Sequence, residues 1–279
     1  MMLRVVLLTA LAMLAFAGNS LLCRAALRDS ALDPASFTAI RLCSGALVLA
    51  LLVLLRRRGP LRGDWRSAMA LFGYAAGFSF AYVELDAGSG ALILFGAVQA
   101  SMLGYGWLQG ERLRPLQLVG LAGALGGLLF LLLPGASSPS PQAAGLMVLA
   151  GVAWAFYSLL GRGNSDPLAA TAGNFLRSLP ALLPLAALYL HQLHWDSLGA
   201  LYATLSGALA SGIGYAIWYA ALPHLRAMQA ASVQLSVPII AAVAGNLLLG
   251  EAFSLRLLLA SVAVLGGIAL ILLAKAKQV

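Results

Sequence analysis

Long apolar stretches alternate with short polar ones along the whole chain, and most of the stretches are close to a bilayer thickness in length. Ten stand out: Leu3–Leu22, Ser36–Leu55, Ser67–Val83, Gly88–Trp107, Leu116–Leu133, Gln142–Gly161, Ala169–Leu190, Leu198–Tyr219, Ala227–Leu248 and Leu255–Ala274. A spanning helix needs about 20 mostly apolar residues, because each residue rises only about 1.5 Å. The runs are rich in Leu, Ala and Gly and lack the period-two alternation of a barrel strand. Hydrocarbon offers no partner for exposed backbone groups, so only helices and closed barrels cross it. The pattern therefore predicts an all-α polytopic membrane protein with ten transmembrane helices. Asp33-Pro34, Arg56–Pro60, Pro134-Gly135 and Asp166-Pro167 punctuate the runs.

The chain also repeats itself. Leu11–Arg24 (LAMLAFAGNSLLCR) matches Leu149–Arg162 (LAGVAWAFYSLLGR) at eight of fourteen positions. Asp33-Pro34 with Thr38-Ala39 recurs as Asp166-Pro167 with Thr171-Ala172. Gly110-Glu111, Leu118, Leu125, Gly126 and Gly127 recur 140 residues later as Gly250-Glu251, Leu258, Leu265, Gly266 and Gly267. The first run has the look of a signal peptide, with Arg4 near its start and Ala15-Phe16-Ala17 as a possible cleavage site. A disposable leader would not be copied inside the mature chain, so it is expected to be the first helix. The repeats are residues 1–135 and 141–279, joined by a polar segment at Pro134–Pro141. Five spans is an odd number, so the two copies are expected to cross in opposite directions, an inverted 5+5 repeat.

Composition agrees with lipid as the solvent. Of 279 residues 62% are apolar and 9% charged, against about 25% charged in a soluble domain. The net charge of +8 would raise nucleic acid in a soluble protein, but here the cations sit between apolar runs and orient them. With the amino terminus inside, twelve (Arg4, Arg56, Arg57, Arg58, Arg62, Arg66, Arg112, Arg114, Arg162, Arg226, Lys275, Lys277) are cytoplasmic and three (Arg24, Arg28, Arg256) are outside. Both termini are thus expected in the cytoplasm, with a bacterial inner membrane as the location and no nucleic-acid partner. Cys23 and Cys43 make neither a disulfide framework nor a metal site by spacing.

The duplication, with a Gly-Glu pair ending the fourth and ninth spans, resembles the EamA-type branch of the drug/metabolite transporter superfamily. Gly96-Ala97-Val98-Gln99, Gly214–Tyr219 (GYAIWY) and Val237-Pro238 are similar to strings of that branch. The resemblance covers essentially the full chain and implies a transporter, with exporters of amino acids and other metabolites among the members. It says little of substrate. One asymmetry is visible, since Val98 stands opposite Pro238.

Polar and aromatic stripes supply the candidate cavity lining. Tyr74, Phe78 and Tyr82 share a face of span three, as Ser211, Tyr215 and Trp218 do on span eight. Trp154, Tyr157 and Ser158 form a third face, with Asn19, Gln99, Asn174, Gln234 and Pro238 adding further points. Interfacial belts account for some aromatics, especially Tyr82, Trp107, Trp218 and Tyr219. Arg41 and Arg177 lie inside spans two and seven, where an ionisable group is a functional candidate and snorkelling or pairing with Glu84 or Asp166 is the structural alternative. Glu111 and Glu251 each precede a helix, so they are expected to be turn and cap residues. Gly120, Gly123, Gly126, Gly127, Gly266 and Gly267 are expected to let backbones approach.

Every acid falls at a span end or in a loop. That distribution favours a facilitator or exchanger over a proton antiporter. His191, His194 and Asp196 are metal-ligating residue types, but Trp195 among them reads as an interfacial loop. No catalytic residue, metal or cofactor is expected. The functional expectation is a secondary transporter, exporter or facilitator, moving a small metabolite such as an amino acid by alternating access. Flipping a lipid or carrier lipid, or exporting lipophilic cations or drugs, is the alternative. The expected partners are a small-molecule substrate and the bilayer, with the chain a monomer or homodimer.

Overall fold

The computed structural model describes residues 2–56, 60–109, 115–133, 139–161, 164–225 and 233–276, and among these the regular structure is all helical, with no strand. The helices are α1 (Met2–Asp29), α2 (Pro34–Leu55), α3 (Trp65–Ala81), α4 (Ala87–Leu108), α5 (Pro115–Leu132) and α6 (Pro141–Leu160). Then come α7 (Pro167–Ser178), α8 (Leu182–Leu188), α9 (Ser197–Leu205), α10 (Gly214–Ala221), α11 (Ser236–Leu249) and α12 (Leu255–Ala276). Among the described residues six helical stretches are long and apolar enough to cross a membrane: α1 from Leu3, α2, α4, α5, α6, and the continuous Ser197–Ala221 rod.

Two expected spans are not regular. A 3-10 turn at Leu179–Ala181 separates α7 from α8, because Pro180 lacks the N–H that a continuing helix would donate. Between α9 and α10 the chain winds as a π-helix over Ser206–Ile213. The wide winding follows from tertiary fit: a Cβ on Gly207 would collide with the Arg41 carbonyl oxygen and the Ser44 hydroxyl, so the rod lies backbone-to-backbone on α2. The first helix runs on to Asp29, one to two turns beyond the expected Leu22. The expected start of span nine, Ala227, lies outside the described residues, and α11 begins at Ser236.

Helix starts follow local chemistry. Asp33, Asp64, Asp166 and Asp196 each accept a backbone N–H of the first turn beyond them, satisfying a donor the helix itself cannot. Pro34 and Pro167 occupy the first helical position, where a missing N–H costs nothing. Thr38 and Thr171 donate to the carbonyls of Pro34 and Pro167, so the recurring Asp-Pro-x-x-x-Thr string builds the same structure twice.

Large side chains such as Leu3, Leu47, Leu54, Leu129, Leu247 and Val262 point outward from the bundle, an apolar exterior that water would not tolerate over so many helices. Inside, α3 packs on α6 as α1 packs on α10, and α4 packs on α6 as α11 packs on α1. The pairs α2–α7, α4–α11 and α5–α12 join corresponding members of the repeats. Exchanging the halves maps this set of pairings onto itself. The α5–α12 pair runs antiparallel: Gly120 lies against Gly267 and Ile271, and Gly127 against Ala263 and Val264.

Candidate functional site

A cavity of about 500 Å³ extends to the α6–α7 turn, where Gly161, Asn164 and Pro167 are part of its lining. Volume in this range suits a small-molecule ligand. Trp154, Tyr157 and Ser158 from α6, Thr171 and Asn174 from α7, and Tyr215, Trp218 and Tyr219 from α10 line it. Gln99 and Val98 from α4 and Gln234, just ahead of α11, complete the wall. It narrows to a second hollow of about 30 Å³ lined by Asn19, Tyr74 and Phe78, and the two share Phe16, Trp154, Tyr215 and Gln234.

Ring contacts make this lining continuous. The Trp154 centroid is 4.7 Å from Tyr74, 5.4 Å from Tyr157 and 5.5 Å from Tyr215. Phe16 meets Tyr215 edge-on at 5.8 Å and Trp218 at 6.0 Å. Such tilted and edge-on pairs are favourable by about 0.5–1.5 kcal/mol each beyond their burial. Among the described residues the lining of both hollows is without acid, and its polar points are neutral hydroxyls, amides and phenols.

A polar chain closes the inner end. The Ser206 hydroxyl donates to Asn19 Oδ1 at 2.6 Å, and Asn19 Nδ2 donates to the Tyr74 hydroxyl at 3.3 Å. Arg41 Nη2 donates to that hydroxyl at 3.0 Å, and Arg41 Nε to Ser211 Oγ at 3.5 Å. The guanidinium lies over the rings of Tyr74 and Phe78, 5.1 and 4.8 Å from their centroids. Arg41 is 2% exposed, makes no ion pair among the described residues, and leaves Nη1 without a hydrogen-bond partner.

The expected lining residues Asn19, Tyr74, Phe78, Gln99, Trp154, Tyr157, Ser158, Asn174, Tyr215, Trp218 and Gln234 all touch one hollow or the other. Ser211 stands behind the wall, holding Arg41. Pro238 is buried in the first turn of α11, off the wall. Arg177 is not a cavity charge: its Nη1 donates to the carbonyls of Arg62 and Gly173, 3.2 Å each, because the α2–α3 connection folds back onto α7. Among the described residues neither arginine pairs with Glu84 or Asp166, and Tyr82 and Trp218 are buried in the bundle. Phe16, which joins the hollows, was missed; it is the repeat partner of Trp154 in the matched strings.

At the opposite end of the bundle a cluster around Arg24 ties the helices together. Arg24 Nε donates to Glu251 Oε1 at 3.2 Å, and its Nη2 lies 3.4 Å from Asp86 Oδ1. Arg24 Nη1 donates to the carbonyls of Tyr82 and Val83 at 3.1 and 2.8 Å. Glu251 was expected to cap the helix that follows it. Instead Oε2 accepts the Ala87 N–H at 2.9 Å, at the start of α4, because the left-handed Gly250 (φ 64°) turns the chain back into the bundle. Burial pushes the Glu251 carboxyl up from its ordinary value, and Asp86 adds to this, while the Ala87 N–H and Arg24 pull it down. Glu111, its repeat partner, lies outside the described residues. In the α8–α9 connection Asp196 caps α9 and the His194 ring lies against the Gln192 carbonyl.

The chain matches the EamA-like transporter family model twice, over residues 3–133 and 142–273. It is similar to an uncharacterized protein of Pseudomonas aeruginosa, 64% identical over 271 residues, covering 96% of this chain and 94% of the relative. A solved crystal structure shares its fold over 99% of each chain, with a TM-score of 0.67 and 22% identity. Two family matches that together span nearly the whole chain, on a bundle with an apolar exterior, identify it: the chain belongs to the EamA-like transporter family, multi-pass membrane transporters of the drug/metabolite type.

Proposed function

We propose that this chain is a secondary transporter, an exporter or facilitator, which moves a small metabolite such as an amino acid or related amphiphile by alternating access between two inverted halves. The observation that carries this reading is the aromatic and amide-lined cavity between the halves, which reaches the α6–α7 turn at one end, while Arg24 pairs with Glu251 at the other end of the bundle. Secondary transporters built on inverted repeats place substrate at such a junction. The symmetric pairing of helices and the antiparallel α5–α12 contact support the inversion. The α6–α7 turn lies beside Arg62, whose Nη1 donates to Ser165 Oγ, so by the positive-inside rule we take that end to face the cytoplasm of a bacterial inner membrane, with both termini on that side.

An apolar or aromatic body would lie on Trp154, Tyr157 and Tyr215, with Gln99, Asn174 and Gln234 taking its polar groups. Flux of radiolabelled amino acids into proteoliposomes, by wild type and Trp154→Ala, tests this. Saturable flux lost in Trp154→Ala supports it. Flux of a lipophilic cation alone, or of a lipid, unaffected by Trp154→Ala, would sink it.

A further inference from the structure

We propose that Arg41 is an anion-binding group of the transport pathway, which takes a carboxylate of the solute when the end sealed by Arg24 and Glu251 opens. The proposal rests on the alternating-access reading above. Its basis is the pairing of positions by the repeat. Asp33 caps α2 through the Ser36 N–H at 2.8 Å, and Asp166 caps α7 through the Ala169 N–H at 3.2 Å. Counting the same number of residues from each cap reaches Arg41 and Asn174. Asn174 stands in the wall of the open cavity. Arg41 is sealed behind Tyr74 and Phe78 in the closed half.

The same exchange pairs Phe16 with Trp154 and Asn19 with Tyr157, and all four line one hollow or the other. When an inverted-repeat protein swaps the conformations of its halves, each residue takes the environment of its partner. Arg41 then takes the place of Asn174, in the wall of a pathway open to the other side. The two open forms differ in charge as a result: the described lining of the present one is neutral, and the other carries a guanidinium.

The sealed form shows why the group suits a ligand better than a purely structural role. A buried cation without a carboxylate is costly, and here Tyr74, Phe78 and Ser211 offset only part of that cost, while Nη1 has no partner. A carboxylate reaching Nη1 would complete the donor set, since the planar guanidinium fork matches two carboxylate oxygens. One guanidinium, with no acid among the described residues that line either hollow, balances one negative charge. The solute class is therefore a monocarboxylate or zwitterion on an apolar or aromatic body.

Thermal melting of the purified full chain in detergent, with added 3-phenylpropionate, phenethylamine or inorganic phosphate, tests the assignment. The expected result is saturable stabilisation by 3-phenylpropionate and none by phenethylamine or phosphate. Half-saturation should need at least about tenfold more 3-phenylpropionate in Arg41→Gln, the loss expected of one charge-assisted hydrogen bond. Arg41→Lys should lie between. Without ligand, Arg41→Gln should melt no lower than wild type, because it removes a lone buried charge. An unchanged response in Arg41→Gln, a variant that melts well below wild type without ligand, or stabilisation by the amine or phosphate instead would each overturn the proposal. Failure of the transport reading has its own signature: wild-type proteoliposomes without flux, although 3-phenylpropionate still stabilises the protein through Arg41.

Discussion

Arg24 Nε stands 3.2 Å from Glu251 Oε1, a contact between the first and second family repeats with both side chains almost wholly buried. The same carboxylate caps α4 through Ala87, so one side chain holds α1, α4 and the α11–α12 turn together. Removing one partner of a buried pair leaves an uncompensated charge and costs about 3–5 kcal/mol. Arg24→Ala is therefore expected to loosen this end specifically. Cys23, buried beside Arg24, provides the readout once the exposed Cys43 is replaced by Ser. Alkylation of Cys23 should be at least tenfold faster in Arg24→Ala and in Glu251→Ala. Equal rates in wild type and both variants would show that the pair does not hold the end closed.

The same end should respond to pH. Burial holds the Glu251 carboxyl above its ordinary 4.5, with Asp86 adding to the rise and with Ala87 N–H and Arg24 opposing it. The sealed form thus binds a proton more tightly than a form in which Glu251 is hydrated. Closure is strongest at low pH, and it weakens as pH rises from about the ordinary value through the raised one. Cys23 alkylation, corrected for the thiolate fraction with a model thiol, should slow on acidification from neutral pH toward 5. Glu251→Gln should remove the pH dependence of the corrected rate. A rate that rises on acidification would reverse the sign and reject the argument.

The parts of this site visible in the sequence are those set by local chemistry. Asp-Pro strings start α2 and α7, and the aromatic spacing on α3 and α10 places Tyr74, Phe78, Tyr215 and Trp218 on inward faces. Phe16 was equally visible through its alignment with Trp154. Other features depend on contacts between distant segments. The π-helix arises where Gly207 meets Arg41, Glu251 is aimed by Gly250 and received by α4, and Arg177 is diverted by a connection that folds back. None of those partners is within helical reach in the chain, so no periodicity could announce them.

The glycines of α5 and α12 divide into two kinds. A Cβ on Gly120 would lie 2.5 Å from the Gly267 carbonyl oxygen, and one on Gly267 would collide with the Gly120 carbonyl. Gly126 and Gly266 have nothing within 4 Å. Gly120→Ala or Gly267→Ala should force the helices apart and lower stability by about 1–3 kcal/mol. Gly126→Ala and Gly266→Ala should be neutral or stabilising by up to about 1 kcal/mol through helix propensity. Melting of the four variants decides it, and a uniform effect would refute the division.

The α2–α3 connection is bound to α7 by its backbone, and this gives the last prediction. Arg62 N–H donates to the Ala169 carbonyl at 3.1 Å, and Asp64 N–H to Asn174 Oδ1 at 2.9 Å. Gly63 between them has φ 123° and lies so close to α7 that a Cβ would meet Asn174 Oδ1 at 2.5 Å. An L side chain is disfavoured there on both counts. Gly63→Ala should therefore detach the connection and disturb Asn174, which also forms the cavity wall. Protease nicking between residues 60 and 64 should accelerate in this variant and in Asn174→Ala. Acid should act in the same direction. Partial burial raises the Asp64 carboxyl, but Ser67, the Arg66 N–H and the Arg177 charge outweigh it and hold it below its ordinary value. The stability it contributes is present above the unfolded pKa and is lost as pH falls through the depressed one. Asp64→Asn should remove that acid sensitivity of the nicking rate. Nicking that is independent of pH in the wild type, or unchanged in Gly63→Ala, would show that this connection does not depend on the contacts with α7.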